Sequence, residues 1–420
     1  MYFSVKLNIM FLAKYLCVII LFSSGDEVGW PLPERRGLTS SFGEWREGHL
    51  HAGIDLPTKR IGEEVYSVCD GWIMRSRTSP WGYGKAVYVK SWSGEIYVYA
   101  HLSDFFPGLR KTVRKEQLRK KTYATDMWFK EGEVLVEKGD VIAYTGRSGC
   151  LAPHLHFELR DRDNNPVDPF TRGFDVPDTI PPVIKGIRVI PLDESSKVSG
   201  SRFGKVFDAF ADTISVFVEG RAGIEIETED RVNNRSGRLG IKEIRLYMNG
   251  RLLRREFVDR FSYANHTDSR FLFNFEYGKR TGRKFRRLFT VPGNGFSFYE
   301  GEDGIITEKD TGDYLIEVYD GSGNISRLVI SLTDSLKNSD FKSNESREEG
   351  IFFETNGFQV YGKWYDLRVT GEFLKSGDSL AIWNFTKKKF LNLESPDGKC
   401  HLILNPVSYT HLTLPTKRIV

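Results

Sequence analysis

Cysteine, histidine and net charge are all scarce in this chain, and long apolar runs are missing. Four cysteines in 420 residues cannot build a disulfide framework. No C-x-x-C pair offers a thiolate zinc knuckle or a thioredoxin-like dithiol. Sixty Lys and Arg against 56 Asp and Glu leave +4, too small an electrostatic footprint for a polyanion binder, so nucleic acid is excluded as a partner. No stretch reaches the ~20 consecutive apolar residues that cross a bilayer, which excludes a multi-span membrane protein. A Gly-x-Ser-x-Gly elbow for a serine nucleophile is absent. Gly82-Tyr-Gly84 lacks the third glycine and the helix of a dinucleotide loop. What the chain does have is 40 glycines, 30 phenylalanines and 18 tyrosines, a composition of strands and turns. Its hydrophobic content of 40% excludes wholesale disorder. The length suggests about two or three domains.

The N-terminal segment reads as an export signal over residues 1–25. Lys6 and Lys14 precede the apolar run Tyr15-Leu-Cys-Val-Ile-Ile-Leu-Phe22, and Ser23-Ser-Gly25 follows. The run is too short to span a membrane, so no transmembrane segment is expected after the signal is removed, and the protein is placed in the periplasm or cell envelope. Cys17 lacks the small residues that precede a lipidated cysteine. In an oxidising compartment Cys69 and Cys150 could pair, provided their Cα atoms lie within ~7 Å. At the other end, residues 407–420 resemble a translated sequencing-adapter tail, so His411 is set aside and the segment before it is expected to be incomplete.

Between the ends the expected fold is mainly β. Residues 30–175 alternate β-branched or aromatic runs with glycine turns, as in Ile96-Tyr-Val-Tyr-Ala followed by Lys138-Gly-Asp140. Residues 109–130 lack glycine and are highly basic, which predicts a short helix or lid inserted between strands of an antiparallel sheet. The Pro-rich joint Val176-Pro-Asp-Thr-Ile-Pro-Pro182 marks a boundary. Residues 183–334 then read as an immunoglobulin-like β-sandwich closed by the hairpin Tyr319-Asp-Gly-Ser-Gly-Asn-Ile-Ser326. Residues 335–348 read as a linker, and residues 349–406 as a partial third β segment.

Histidine is the informative scarcity. Five of the eight, His49, His51, His101, His154 and His156, fall in the first domain, in Gly48-His-Leu-His-Ala-Gly-Ile-Asp55, Tyr99-Ala-His101 and Pro153-His-Leu-His-Phe-Glu158. Imidazoles with a carboxylate suit zinc, and three protein ligands leave a position open for chemistry. His154 and His156 sit two apart, so in a strand they share one face about 6.6 Å apart. His51 and Asp55 would be about 13 Å apart in an extended strand, too far to share an ion. If both are ligands the chain must bend between them, and Gly53 is the place for it. His49 is the spare, expected to support the site or line a groove. Tyr99 could reach that groove or be packed, and Glu158 could orient a ligand. His266 and His401 have no sequence partners.

The first domain resembles the lysostaphin-like, LytM-type zinc metalloendopeptidases that cut peptide cross-links of bacterial peptidoglycan. The resemblance covers about residues 35–170. It rests on Ser41-Phe-Gly43, His51-Ala-Gly-Ile-Asp55, Tyr99-Ala-His101-Leu, Gly139-Asp-Val-Ile-Ala-Tyr-Thr-Gly146 and His154-Leu-His156-Phe-Glu, in the family's order. It implies a single zinc ion held by His51, Asp55 and His156, and two further catalytic histidines, His101 and His154. It also implies peptidoglycan peptide stems as substrate, with an envelope protein as a possible partner of the β-sandwich. The competing expectation is a LytM-type wall-binding module or hydrolase activator without catalysis.

Overall fold

The computed structural model describes residues 29–334 except 35–36, 47, 194, 211–212 and 234–236, together with the backbone of four strands between residues 365 and 404. The expected signal segment, the linker 335–348, the adapter-like tail and most of residues 349–406 lie outside the described residues. Two compact units are formed. One comprises the chain up to Gly43, His51–Asp178 and Val232–Arg238; the other comprises Glu44–Leu50, Thr179–Arg231 and the chain from Leu239 onward. The division falls inside the Pro-rich joint, but the two short exchanged segments were not foreseen from sequence.

The first unit is built on one antiparallel sheet. Its strands are β1 (Ile54–Pro57), β3 (Gly71–Thr78), β4 (Lys85–Ser91), β5 (Ile96–Leu102), β7 (Thr125–Trp128), β8 (Leu135–Val136), β10 (His154–Arg160) and β11 (Pro166–Val167). They run in the order β8-β3-β4-β5-β10-β11, with β1 added to β10 and β7 to β3. A smaller sheet joins β2 (Glu64–Tyr66), β9 (Val141–Tyr144) and β6 (Asp104–Phe105). The sequence His-Leu-His-Phe-Glu-Leu-Arg of β10 alternates strictly, and the period of two sorts it onto two faces. Leu155, Phe157 and Leu159 are fully or almost fully buried. Phe157 packs against Tyr97, Tyr99 and Phe174 at ring separations of 6.2, 5.4 and 4.9 Å. His154, His156, Glu158 and Arg160 occupy the other face.

Residues 109–130 are more than an inserted helix. Helix α1 (Pro107–Lys120) starts earlier than expected, with Pro107 in its first turn, where a missing N–H costs nothing. The rest of the segment returns to the sheet as β7, whose Asp126 pairs with Arg75 of β3 at 2.6 Å. Among the described residues no helix is long and apolar enough to cross a membrane.

The second unit contains two sheets around one apolar core. The first is ordered β14-β12-β16-β19, from β12 (Val183–Pro191), β14 (Lys205–Asp208), β16 (Arg221–Glu229) and β19 (Arg286–Arg287), with β21 (Ile305–Thr307) also on β16. The other runs β13-β15-β23-β22-β17-β18-β20, from β13 (Lys197–Val198), β15 (Thr213–Glu219), β17 (Glu243–Met248), β18 (Arg251–Phe257), β20 (Tyr299–Gly301), β22 (Gly312–Tyr319) and β23 (Ile325–Thr333). Ile187 and Ile224 of the first and Val216, Leu246 and Ile316 of the second belong to that core. The hairpin expected at residues 319–326 joins β22 to β23. A helical stretch, comprising the 3₁₀ turn Tyr263–Asp268 and the helices Ser269–Leu272 and Phe275–Thr281, interrupts the β pattern and was not anticipated. Beyond residue 334, Tyr365–Val369 pairs antiparallel with Cys400–Leu404, and Ser379–Asn384 with Lys389–Glu394.

The Cys69–Cys150 pairing is not formed; both are free thiols. Each is held by its own turn, Cys69 just before β3 and Cys150 just before β10, where its Sγ donates to the Ala152 carbonyl at 3.2 Å.

Gly53 is the residue on which the geometry of β1 turns. The chain bends there and the strand begins only at Ile54. A Cβ at Gly53 would lie 2.2 Å from the Phe157 carbonyl oxygen of β10. Gly53→Ala should therefore lower stability by about 1–3 kcal/mol, as overpacking typically does. It should also displace His51 from Asp55. Chemical denaturation and metal titration of the variant measure the two effects.

Candidate metal centre

His51, Asp55 and His156 come together from three places in the first unit. Asp55 on β1 lies directly opposite His156 on β10, so their side chains share a face. His51 precedes the strand and is brought back by the bend at Gly53. Residues 39–43 clamp this stretch by backbone hydrogen bonds, Asp55 N to Ser40 O and Gly43 N to His51 O, each 2.9 Å. All three side chains are buried.

Hydrogen bonds behind the two imidazoles fix which nitrogen carries the proton. His51 Nδ1 lies 2.8 Å from the Ser41 carbonyl oxygen and 3.0 Å from Ser40 Oγ. A carbonyl only accepts, so Nδ1 bears a proton and Nε2 is the atom left to face Asp55. His156 Nε2 lies 2.8 Å from Glu158 Oε1, so Nε2 bears a proton and Nδ1 is the atom left to face Asp55. The forward-facing atoms then form a small triangle. His51 Nε2 is 3.0 Å from His156 Nδ1 and 3.1 Å from Asp55 Oδ1, and His156 Nδ1 is 2.8 Å from Asp55 Oδ1. Without an ion a proton on His156 Nδ1 bridges to Asp55, and a metal ion would take the place of that proton. Two imidazoles and one carboxylate form a donor set that fits zinc, with second partners already orienting both rings.

The ionisation of the groups follows. Burial alone would raise the Asp55 carboxyl, but with no ion between them the protonated faces of His51 and His156 outweigh it and hold the carboxyl far below its ordinary range. Burial would lower His156, yet its bonds to Asp55 and Glu158 bring it up to about 9. Glu158 is fully buried; desolvation opposes its charge, and Arg160, His156 and Tyr83 overcome it, leaving the carboxyl at about 2. Arg160 Nε donates to Glu158 Oε2 at 2.7 Å, and the Tyr83 hydroxyl donates to Oε1.

His101 and His154 stand beside the triangle. His154 Nε2 is 3.6 Å from Asp55 Oδ1, and the His101 ring lies 4.7 Å from that of His154 and 5.7 Å from that of His156. Strand parity would send His101 to the wrong face, because its neighbour Ala100 is the residue opposite His156. The register between β4 and β5 slips there by one residue, and His101 takes a positive φ of 59°. That bulge turns the imidazole onto the histidine face. Its Nδ1 lies 2.9 Å from the Ser148 carbonyl, and burial pushes the ring down to about 4, so it is neutral at neutral pH.

Other sequence candidates fall elsewhere. His49 is exposed in the hairpin Trp45–Arg46/His49–Leu50, which belongs to the second unit. Tyr99 is completely buried on the core face, where its hydroxyl accepts from Val68 N at 3.0 Å. His266 is exposed and bonds to the Tyr263 carbonyl of its own turn. The His401 side chain and His411 lie outside the described residues. Sequence reading missed Tyr83 and Arg160, which hold Glu158, and the Ser41 carbonyl, whose only signal was the Ser41-Phe-Gly43 fragment.

The centre is a buried set of three donors on the face of an antiparallel sheet that could hold a metal ion, flanked by two more imidazoles. Residues 49–120 match the model of peptidase family M23. Among curated proteins the chain is 30% identical over 135 residues to the DD-carboxypeptidase/endopeptidase Mpg of Neisseria meningitidis serogroup B strain MC58, an alignment covering 32% of this chain and 24% of that protein. The Mpg protein of Neisseria gonorrhoeae strain FA 1090 is 29% identical over the same length and shares. The chain thus spans about a quarter of the length of the curated relatives it matches. Solved structures similar to it include a zinc-containing peptidase from Vibrio cholerae, 28% identical, covering 36% of this chain and 40% of that one at a TM-score of 0.26. The catalytic domain of lysostaphin from Staphylococcus simulans is 21% identical, covering 31% and 87% at a TM-score of 0.23.

Two measurements test this centre. Glu158→Gln should weaken zinc binding about 10–100-fold, the usual cost of losing an orienting partner, as read by competition with a chromophoric chelator. In the metal-free protein, His156 holds its proton more tightly folded than unfolded, so its stabilising contribution is complete below pH 6.5 and is lost as pH rises through about 9. Melting temperature in chelator should fall across that window. Saturating zinc, which replaces the proton, should flatten the slope.

Proposed function

We propose that the first unit is an exported zinc metalloendopeptidase that hydrolyses peptide cross-links of bacterial peptidoglycan. The single observation that carries this reading is the close triangle of His51 Nε2, His156 Nδ1 and Asp55 Oδ1, with the far nitrogen of each ring already bonded to an acceptor. The M23 match supports the reaction class, and the Mpg relatives support a carboxypeptidase or endopeptidase acting on cell-wall peptides.

In this reading His51, Asp55 and His156 hold the ion. Zinc in such a site polarises a carbonyl and acidifies water. His101, neutral and hydrogen-bonded through Nδ1 to Ser148, presents Nε2 as the proton acceptor. His154 stands over Asp55 and 4.7 Å from His101, suited to stabilise the developing oxyanion or to protonate the leaving amine. Glu158, Arg160 and Tyr83 position His156 and do not touch substrate. The second unit, read as an immunoglobulin-like sandwich, would hold the enzyme at the wall or engage an envelope protein.

His51→Ala and Asp55→Ala should abolish both zinc retention and hydrolysis of purified sacculi. His101→Ala should retain zinc and lose about 10²–10⁴-fold in turnover, the range for a general base. Released muropeptides weighed by mass spectrometry identify the bond. Wall binding without any released fragment, by a zinc-loaded chain, would favour the non-catalytic module instead.

A further inference from the structure

We propose that Cys150, His101 and His154 form a second metal site, for a thiophilic divalent cation of the zinc or cadmium class, whose occupation switches the first site off. The inhibitory half rests on the reading of His101 and His154 as proton-handling groups; the site itself does not.

One ring nitrogen of each imidazole and the Cys150 sulfur all lie within 4.8 Å of one another, and all three side chains are partly exposed. Two imidazoles and a thiolate are a zinc donor set that leaves a fourth position for water. The spacing has to shrink by about an ångström to meet bonds of ~2.0–2.3 Å. The 145–153 loop that carries the thiol also orients the rings. Ser148 accepts from His101 Nδ1 through its carbonyl, which leaves the Nε2 lone pair facing outward. The Ala152 carbonyl receives both the Cys150 thiol, at 3.2 Å, and His154 Nδ1, at 2.9 Å, which leaves the His154 Nε2 lone pair for an ion.

The start of the loop is clamped. Lys85 N donates to Ser148 Oγ at 2.8 Å, and Ser148 Oγ donates to Leu102 O at 2.7 Å. A Cβ on Gly149 would sit 2.2 Å from the Gly82 carbonyl. Past the clamp, Leu151 is 98% exposed, so the thiol can be approached from solvent. His154 Nε2 is 3.6 Å from Asp55 Oδ1, so a second ion would feel the charge of the first. Two neutral imidazoles would not hold a cation against that repulsion, whereas a thiolate cancels one of its charges. Cys150 is therefore the deciding ligand, and a bound ion takes the nitrogen lone pairs that proton transfer requires.

The test is titration of the metal-free full chain with Co²⁺, followed by absorption. The wild type should take up two ions, the second bringing a thiolate-to-metal charge-transfer band in the near ultraviolet. Cys150→Ser should bind one ion without the band, and Cys69→Ser should keep the band. In sacculus hydrolysis, zinc beyond one equivalent should inhibit the wild type, and Cys150→Ser, with its basal rate unchanged, should need about tenfold more zinc for the same effect or resist it altogether. A wild type that binds a single ion, or a second ion bound equally by Cys150→Ser, overturns the site. Two ions with a thiolate band but undiminished hydrolysis uphold the site and overturn the inhibition. Absence of hydrolysis at every zinc level would count against the peptidase reading, while the spectrum still decides the site.

Discussion

Two acceptors behind the metal centre decide what its front can hold. The Ser41 carbonyl and the Glu158 carboxylate each take the N–H of one imidazole, and the other nitrogen of both rings is thereby turned toward Asp55, where an ion could displace its proton. A different pair of acceptors would turn one ring away and open the triangle. The constraint propagates outward. Glu158 has to stay ionised while fully buried, which is costly unless the carboxylate is paired. Arg160 supplies the pairing charge, and its guanidinium lies 5.5 Å from the Tyr88 ring centroid. Arg75 lies 5.0 Å from the same ring and 4.7 Å from Trp128 of β7. The last strand of the 109–130 segment is thus tied, through stacked cations and rings, to the orientation of His156.

The sheet makes this arrangement affordable by giving one strand two separate duties. On β10 the apolar residues build an aromatic core and the polar ones build the site, and the pleat keeps the two from mixing. Small residues matter on the site side. Ala100 of β5 is opposite His156, and Ala86 of β4 belongs with Ala100 and Val98 to the small apolar cluster of that face. Larger side chains there would compete with imidazole for the same volume.

Much of this was legible in the sequence because it depends on local spacing. The His154–His156 pair, its carboxylate neighbour and the need for a bend at Gly53 all follow from a rise of about 3.3 Å per residue. His101 shows where spacing fails. Its parity is wrong for the site, and only a bulge between β4 and β5, a property of two strands together, corrects it. Tyr83 and the Ser41 carbonyl were hidden for the same reason, since a hydrogen bond across 75 or 10 residues leaves no periodic trace. In the second unit the closing hairpin announced itself through its glycines. The helical stretch after residue 262 did not, because its aromatic residues read as strand until tertiary packing overrides propensity.

That second unit carries its own buried charges, which bear on what it can contribute. Arg188 pairs with Glu225 at 2.9 Å, and Arg286 pairs with Glu256, all four largely shielded from water. Each pair lies within the unit but leaves an atom unbonded, Arg188 Nε in one and Glu256 Oε2 in the other, and buried pairs of this kind are weak evidence for net stability. The donors of the metal triangle, the two flanking imidazoles and their orienting partners all come from the first unit. The donors and their electrostatic support thus lie in one unit, drawn from its large sheet and the loops beside it, so mutations in the second unit should leave the protonation states at the centre unchanged.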